Sequence, residues 1–165
     1  MIKKLIAALV IALPICASAQ KFGVVDGESL LPQMPEYTAA ENQLSEASKK
    51  YEAELTNLRE ELDKKYADFQ QLSQDPDTPQ SIKDRRLQEL TELDQKVQQF
   101  VQTAQQDIQR QQAQLMQPIQ EKLLRAINTV GQNNNFTILF PIGVALYTGQ
   151  EVIDATPLVK AELGL

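Results

Sequence analysis

Histidine and tryptophan are absent from this chain of 165 residues, and cysteine occurs only once. Without histidine, the sequence lacks the side chain that most readily exchanges protons near neutral pH and the commonest nitrogen ligand of zinc. A single cysteine cannot form a thiolate metal site or a disulfide within the chain. Basic residues are also few, 16 against 22 acidic ones, which gives a formal net charge of -6. This balance argues against nucleic-acid binding, which depends on a basic surface.

Catalytic motifs are missing as well. No Ser or Lys lies in a nucleophile motif, and the sequence has no Gly-rich phosphate loop. The adjacent carboxylates Glu60 and Glu61 fall on a predicted solvated helix, and Asp75 and Asp77 fall in a predicted turn. Neither pair has the partial burial that acid–base catalysis requires. We therefore predict that the protein is not an enzyme and uses no metal or cofactor.

The first nineteen residues have the layout of a secretory signal. Lys3 and Lys4 precede an apolar stretch that is too short for a comfortable membrane span, and Ala17–Ala19 supplies the small residues that a signal peptidase recognises. We predict cleavage after Ala19, so that the signal comprises residues 1–19 and the mature chain is a soluble protein of the bacterial cell envelope.

Cys16 lies near the end of this signal. A lipoprotein would have small residues just before its cysteine, whereas Pro14 and Ile15 stand there. We therefore expect Cys16 to be removed with the signal rather than lipidated.

A long helical zone occupies the middle of the chain. Between Pro35 and Asp75 there is no Gly and no internal Pro, and apolar residues recur every three or four positions, which is typical of one narrow helical stripe. The stripe consists of Leu44, Ala47, Tyr51, Leu55, Leu58, Leu62, Tyr66 and Phe69. Two prolines and two aspartates within Asp75–Pro79 then predict a turn.

A second stripe follows the turn. It consists of Leu90, Leu93, Val97, Phe100, Ala104, Ile108, Leu115, Ile119, Leu123, Ile127 and Val130. Gly131, followed by one Gln and three Asn, predicts the end of this helix, and Pro118 predicts a bend within it. We interpret the fourteen Gln residues between Gln80 and Gln120 as a solvated helical face, because Gln is a good helix former.

Two long helices joined by so short a turn must lie antiparallel. We predict a hairpin of residues 35–131 and roughly 60 Å in length, with helices at about 35–74 and 79–131 and a turn at 75–79. Acid–base pairs four positions apart support both helices by a few tenths of a kcal/mol each. They are Glu46/Lys50, Glu60/Lys64, Glu61/Lys65, Glu92/Lys96 and Glu121/Arg125.

The two ends of the chain, residues 20–34 and 132–165, predict a small β-rich body. Short apolar runs indicate strands, and a final helical turn opens at Thr156 and Pro157. The predicted strands are Lys21–Asp26, Phe136–Phe140, Val144–Tyr147 and Glu151–Ile153. Because so few strands cannot bury an adequate core alone, we expect oligomerisation to complete the body. Its predicted core residues are Phe22, Val24, Val25, Phe136, Ile138, Phe140, Val144, Leu146 and Tyr147.

The order and lengths of these parts resemble the Skp/OmpH family of periplasmic chaperones over essentially the whole mature chain. The resemblance depends on the strand ending Val24-Val25-Asp26, the connector ending Pro35-Glu36, the long hairpin, and the runs Phe136–Phe140, Val144–Tyr147 and Val152–Thr156. It implies an α+β, mostly helical fold in which a coiled-coil hairpin, or tentacle, emerges from a small β body. It also implies a homotrimer whose body is built by strands from both ends of each chain.

The resemblance further implies an ATP-independent holdase, which binds unfolded outer-membrane proteins in a cavity between the tentacles and prevents their aggregation. Apolar side chains off the two stripes are then the candidates for contact with this client: Ala40, Leu72, Leu87, Val101 and Met116. Well-known members of the family are basic, whereas residues 36–75 here carry ten acids against five bases. Lys83, Arg85 and Arg86 form the only basic cluster, so the charge argues against lipopolysaccharide binding.

One further interpretation stays open at this point. A secreted coiled-coil spacer or adaptor of the cell envelope, with one specific partner, would have the same hairpin. The β-rich ends favour the chaperone, since a spacer has no need to form trimers through strands.

Overall fold

The structure of the chain is a computed structural model that describes residues 20–165. The predicted signal, Cys16 and the cleavage site after Ala19 lie outside the described residues. The elements, in chain order, are β1 (Phe22–Val25), α1 (Gly27–Leu30), a 3₁₀ turn (Leu31–Gln33), α2 (Pro35–Gln74), α3 (Gln80–Asn133), β2 (Ile138–Pro141), β3 (Ile153–Asp154) and α4 (Thr156–Leu163). Two long helices and a small sheet confirm the predicted fold class of a mostly helical α+β protein.

The chain divides into two compact units. The first, which we call the sheet unit, comprises the described residues up to Gly27 together with Ala126–Gly164. The second, the hairpin unit, comprises Glu28–Arg125 and the terminal Leu165.

The hairpin unit consists mainly of α2 and the greater part of α3. Pro35 occupies the first turn of α2, where its fixed φ fits and its missing N–H costs nothing. Beyond the end of α2, the Asp75 side chain accepts hydrogen bonds from the Asp77 backbone N–H and the Thr78 hydroxyl, each at 2.9 Å. These bonds shape the tight connection to α3.

Apolar contacts hold α2 and α3 together. Leu58 packs against Leu93 and Val97 in a buried cluster that is flanked by Leu55, Leu62 and Phe100. These residues come from the two stripes that the spacing of apolar residues predicts. Because burying one such side chain contributes about 1.5–3 kcal/mol, packing along the stripes stabilises the hairpin far more than its surface ion pairs do.

The second helix ends within two residues of the predicted position, which is about residue 131. Helix α3 continues to Asn133, and Asn135 then adopts a left-handed conformation with φ 55°. The Phe136 N–H donates to the Gly131 carbonyl and the Asn135 N–H donates to the Gln132 carbonyl. This pair of bonds is a Schellman motif, in which Asn135 takes the place that glycine usually has.

The sheet unit contains a three-stranded parallel sheet in the order β2-β1-β3. In this sheet Phe22 lies opposite Ile138, and Gly23 lies opposite both Leu139 and Ile153. Further backbone bonds extend the pairing, from the Thr137 N–H to the Lys21 carbonyl at 2.7 Å and from the Ala155 N–H to the Val24 carbonyl at 2.8 Å. β1 is therefore the central strand of the sheet, and strands from the C-terminal part of the chain pair with it on both sides.

The start of α4 is tied to the sheet by polar contacts. The Asp154 carboxylate accepts the Thr156 backbone N–H at 2.9 Å, and the Thr156 hydroxyl accepts the Asp26 backbone N–H at 2.9 Å. Hydrogen bonds from Thr156 lower the pKa of Asp154 below its ordinary value. Ala155 and Val159 are fully buried, which anchors α4.

Two of the predicted strands need correction. Val144–Tyr147 is not a strand, and the predicted strand Glu151–Ile153 is instead the short strand Ile153–Asp154. A run of β-forming residues becomes a strand only where another backbone pairs with it, and no described backbone pairs with Val144–Tyr147. These residues remain exposed, with Leu146 at 107% and Tyr147 at 86%.

Two glycines of the sheet unit should respond to alanine with opposite signs. A Cβ on Gly23 would lie 2.7 Å from side-chain atoms of Phe136 and Leu139 and 3.0 Å from the Ile153 carbonyl oxygen. A Cβ on Gly131 would make an ordinary contact with Leu139 at 3.6 Å, inside a helix. We expect Gly23→Ala to lower the free energy of unfolding by about 1–3 kcal/mol because of overpacking, and Gly131→Ala to raise it by about 1 kcal/mol.

Denaturant unfolding followed by circular dichroism measures both changes. Each variant is the control for the other, since both add one methyl group. Equal effects of the two substitutions would contradict the assignment of Gly23 to a crowded central strand.

Candidate functional site

Three polar contacts between side chains join α2 to α3 along the hairpin unit. The Tyr51 hydroxyl donates to the Asp107 carboxylate at 2.9 Å, the Lys65 ammonium lies 4.0 Å from the Glu89 carboxylate, and Lys122 forms an ion pair with Glu36. The rings of Tyr51 and Phe100 lie beside the central contact, 6.0 Å apart. Because partners come from distant parts of the chain, these contacts define the register of the two helices.

The pKa values of these groups follow from their partners. The hydrogen bond to Asp107 raises the pKa of the Tyr51 hydroxyl. The hydrogen bond from Lys122 lowers the pKa of Glu36. Hydrogen bonding from Arg86 is the largest cause that lowers the pKa of Glu89, and Arg85 and Lys65 act in the same direction. The carboxylates of Glu36 and Glu89 therefore stay ionised at neutral pH, so their two ion pairs are present there.

Shallow grooves accompany these contacts. A groove of about 450 Å³ near the end of the unit that contains Glu36 is lined by Ala39, Ala40, Leu115, Pro118 and Ile119 among others. A second, of about 490 Å³, includes Tyr51 and Gln111 in its lining, and a third, of about 350 Å³, includes Lys65 and Leu72. Within the described residues no group of three or more His, Cys, Asp or Glu is arranged to hold a metal ion.

The basic cluster near the turn is engaged within the chain. The Lys83 ammonium donates to the Ser73 carbonyl at 3.1 Å and to the Asp75 carbonyl at 2.8 Å, which satisfies carbonyl groups at the end of α2. Arg85 and Arg86 both form ion pairs with Glu89. These contacts tie the three cations to local structure.

The five predicted client-facing residues differ in exposure. Leu87 and Val101 are exposed, by 53% and 40%, whereas Leu72 and Met116 are half-buried. Ala40 is only 3% exposed, although it lies in the lining of the groove near Glu36.

The nine predicted residues of the oligomer core fall into two groups. Val24 and Val25 are buried, and Phe22 and Phe136 are half-buried, within the sheet unit of the single chain. The other five are exposed large apolar side chains: Ile138, Phe140, Val144, Leu146 and Tyr147. Exposed apolar side chains that form a contiguous patch mark interaction surfaces, so this second group is a candidate interaction surface.

Sequence reasoning missed some of these features. Ile142, Ile153 and Leu158 are also exposed apolar residues of the sheet unit. Of the five predicted ion pairs four positions apart, only Glu121–Arg125 forms a salt bridge among the described residues, at 3.7 Å. The sequence did not lead us to predict the contacts between the two helices. In an antiparallel hairpin, the residue numbers of two facing positions add up to a nearly constant sum, and this rule could have identified the partners.

The fold and its exposed surfaces define the class of the chain: a long helical hairpin combined with a small parallel sheet that carries exposed apolar residues. A family model described as outer membrane protein (OmpH-like) matches residues 21–163, and the chain belongs to this family. No curated protein sequence gave a match.

Family membership supports a periplasmic, chaperone-like role in the handling of outer-membrane proteins. Members of the family are chaperones rather than enzymes, and they bind unfolded outer-membrane proteins. Among residues 20–165, no helix combines the length and the apolar character that crossing a membrane requires.

Proposed function

We propose that this protein is an ATP-independent holdase that binds unfolded outer-membrane proteins between helical hairpins and prevents their aggregation. The observation that carries the proposal is the set of six exposed apolar side chains between Ile138 and Tyr147, namely the five predicted core residues and Ile142. A single chain leaves this surface in water, and a second and third copy would cover it. In the resulting homotrimer, three hairpins would surround a client.

The body of this trimer is proposed to form by strand addition. The backbone of Val144–Tyr147 has no strand partner among the described residues, and β2 and β3 are the edges of the three-stranded sheet. Pairing this run with a neighbouring copy would satisfy its backbone groups and bury its side chains together.

The hairpin is suited to weak contact with many different sequences. Leu87 and Val101 are exposed singly, and the half-buried Met116 has a flexible side chain that adapts to different neighbours. Each contact is weak, but several made at once by one enclosed client give substantial affinity. This mode of binding needs no nucleotide and no cofactor.

The proposal includes secretion by a signal that is cleaved after Ala19. It does not include lipopolysaccharide as a ligand, because the basic cluster of Lys83, Arg85 and Arg86 is engaged with groups of the chain itself.

The test is an aggregation assay. An unfolded outer-membrane β-barrel protein is diluted out of urea with and without the purified chain, and light scattering is recorded. We expect suppression of scattering at one trimer per client, with no effect of added ATP. Undiminished scattering at that ratio would contradict the holdase and favour a spacer or adaptor with one specific partner.

A further inference from the structure

Helix α3 has two sides that differ in chemistry between residues 95 and 125. Each residue of a helix is rotated by about 100° about the helix axis from the one before it. If these rotations are counted from the buried Leu90, every charged residue of this stretch lies on the same side of the buried stripe, between about 40° and 160° from Leu90. These residues are Lys96, Asp107, Arg110, Glu121, Lys122 and Arg125. Between residues 98 and 116 the other side carries five glutamines at alternating spacings of four and three residues, between about 40° and 120°. They are Gln98, Gln102, Gln105, Gln109 and Gln112, and Met116 continues the series.

The contacts between the helices identify the charged side independently. Asp107 and Lys122, which bind Tyr51 and Glu36 of α2, both belong to it. The same construction on α2, measured from buried Leu58, places Leu55, Leu62 and Tyr66 on the glutamine side, together with the charged Glu52 and Arg59. Between residues 98 and 116 of α3, the described contacts include no polar contact to α2 from a residue of that side.

The glutamine side chains are available for binding. All five are exposed, and only Gln98 makes a side-chain hydrogen bond within the described part of the chain, donating to Asp94 at 2.7 Å. Each amide offers two donors and one acceptor group without charge. Val101, 40% exposed, and Met116 add apolar area beside them.

We propose that these five glutamines, with Val101 and Met116, form a binding surface for extended segments of the unfolded outer-membrane protein. This inference rests on the proposed holdase function and names the surface that performs it. Amide groups can donate to and accept from a peptide backbone whatever its sequence, and an uncharged surface does not select clients by the sign of their charge.

The dimensions of the surface fit the segment. From Gln98 to Met116 the helix rises about 27 Å. A transmembrane β-strand has about 9–11 residues at about 3.3 Å each, so the surface is long enough to contact about eight residues of one unpaired strand segment. Such segments alternate apolar and polar side chains, which the mixture of amides and apolar groups accommodates.

The test compares two triple variants of the full-length protein that carry the same added charge. Gln102→Glu/Gln105→Glu/Gln109→Glu changes the proposed surface, and Gln99→Glu/Gln106→Glu/Gln114→Glu changes exposed positions outside it. Glu is as good a helix former as Gln, so both variants should keep the helix content by circular dichroism. The dissociation constant for a fluorescently labelled, unfolded outer-membrane protein is measured by anisotropy after dilution from urea.

We expect the first variant to bind at least about tenfold more weakly than the wild type, and the second to stay within about twofold. If both variants weaken client binding equally, or if neither weakens it, the glutamine surface is not the binding surface. The proposed holdase function would still stand in that case, because the wild type binds the client. A wild type that does not bind the client would overturn both. A photo-activated cross-linker at position 105 should capture the client, and capture of a second copy of this chain instead would also overturn the inference.

Discussion

We expect Leu146→Asp to dissociate the proposed trimer into single, folded chains. The Leu146 side chain is fully exposed in the chain itself, so a carboxylate there disturbs no contact within the fold. In the proposed trimer the same side chain lies in the apolar body, where an unpaired charge costs several kcal/mol, and the cost arises three times. We therefore expect the variant to lose the trimer almost completely, while each single chain stays folded.

Mass measurement by light scattering after size-exclusion chromatography, at micromolar concentration, tests this prediction together with circular dichroism. Ile138→Asp, on the exposed side of β2, should act in the same direction. Gln150→Asp is the control, because it adds the same charge at an exposed polar position of the same connection. If both apolar variants keep the wild-type mass, the residues assigned to the body do not hold the copies together.

The elements that could be predicted from sequence are those specified by local patterns. The spacing of Leu55, Leu58 and Leu62 on one helix, and of Leu93 and Val97 on the other, identifies side chains that form the buried cluster of the hairpin. The prediction succeeds because a helix of period 3.6 presents such residues on one side whatever lies opposite.

The elements that escaped prediction depend on distant partners or on backbone conformation. Val144–Tyr147 has the composition of a strand, but the described chain supplies no strand beside it. Helix α3 passes Gly131 because the left-handed position that ends it belongs to Asn135. The contact between Tyr51 and Asp107 requires the register of the hairpin, which no local pattern gives.

Shortening the hairpin should abolish protection of clients while the assembly survives. We propose to delete residues 46–74 and 80–108, which removes about 29 residues, or about eight turns, from each helix. Asp75–Pro79 is retained as the connection. Whole turns are removed so that both apolar stripes stay in phase, and equal lengths are removed so that Glu36 still meets Lys122. The shortened protein lacks the Leu58 cluster, the exposed Leu87 and Val101, and about 44 Å of wall.

The reason for a large effect is geometric. A holdase with weak individual contacts depends on many of them being made at once and on walls that separate one client from another. With most of each wall removed, few contacts remain and neighbouring clients can meet, so light scattering of the diluted client should approach the value without chaperone. The sheet unit, including the exposed residues between Ile138 and Tyr147, is untouched, so the mass should correspond to the same number of copies as the wild type. Full protection by this shortened trimer would place client binding in the body rather than on the hairpins, and would leave Leu146 and its neighbours as the surface to test next.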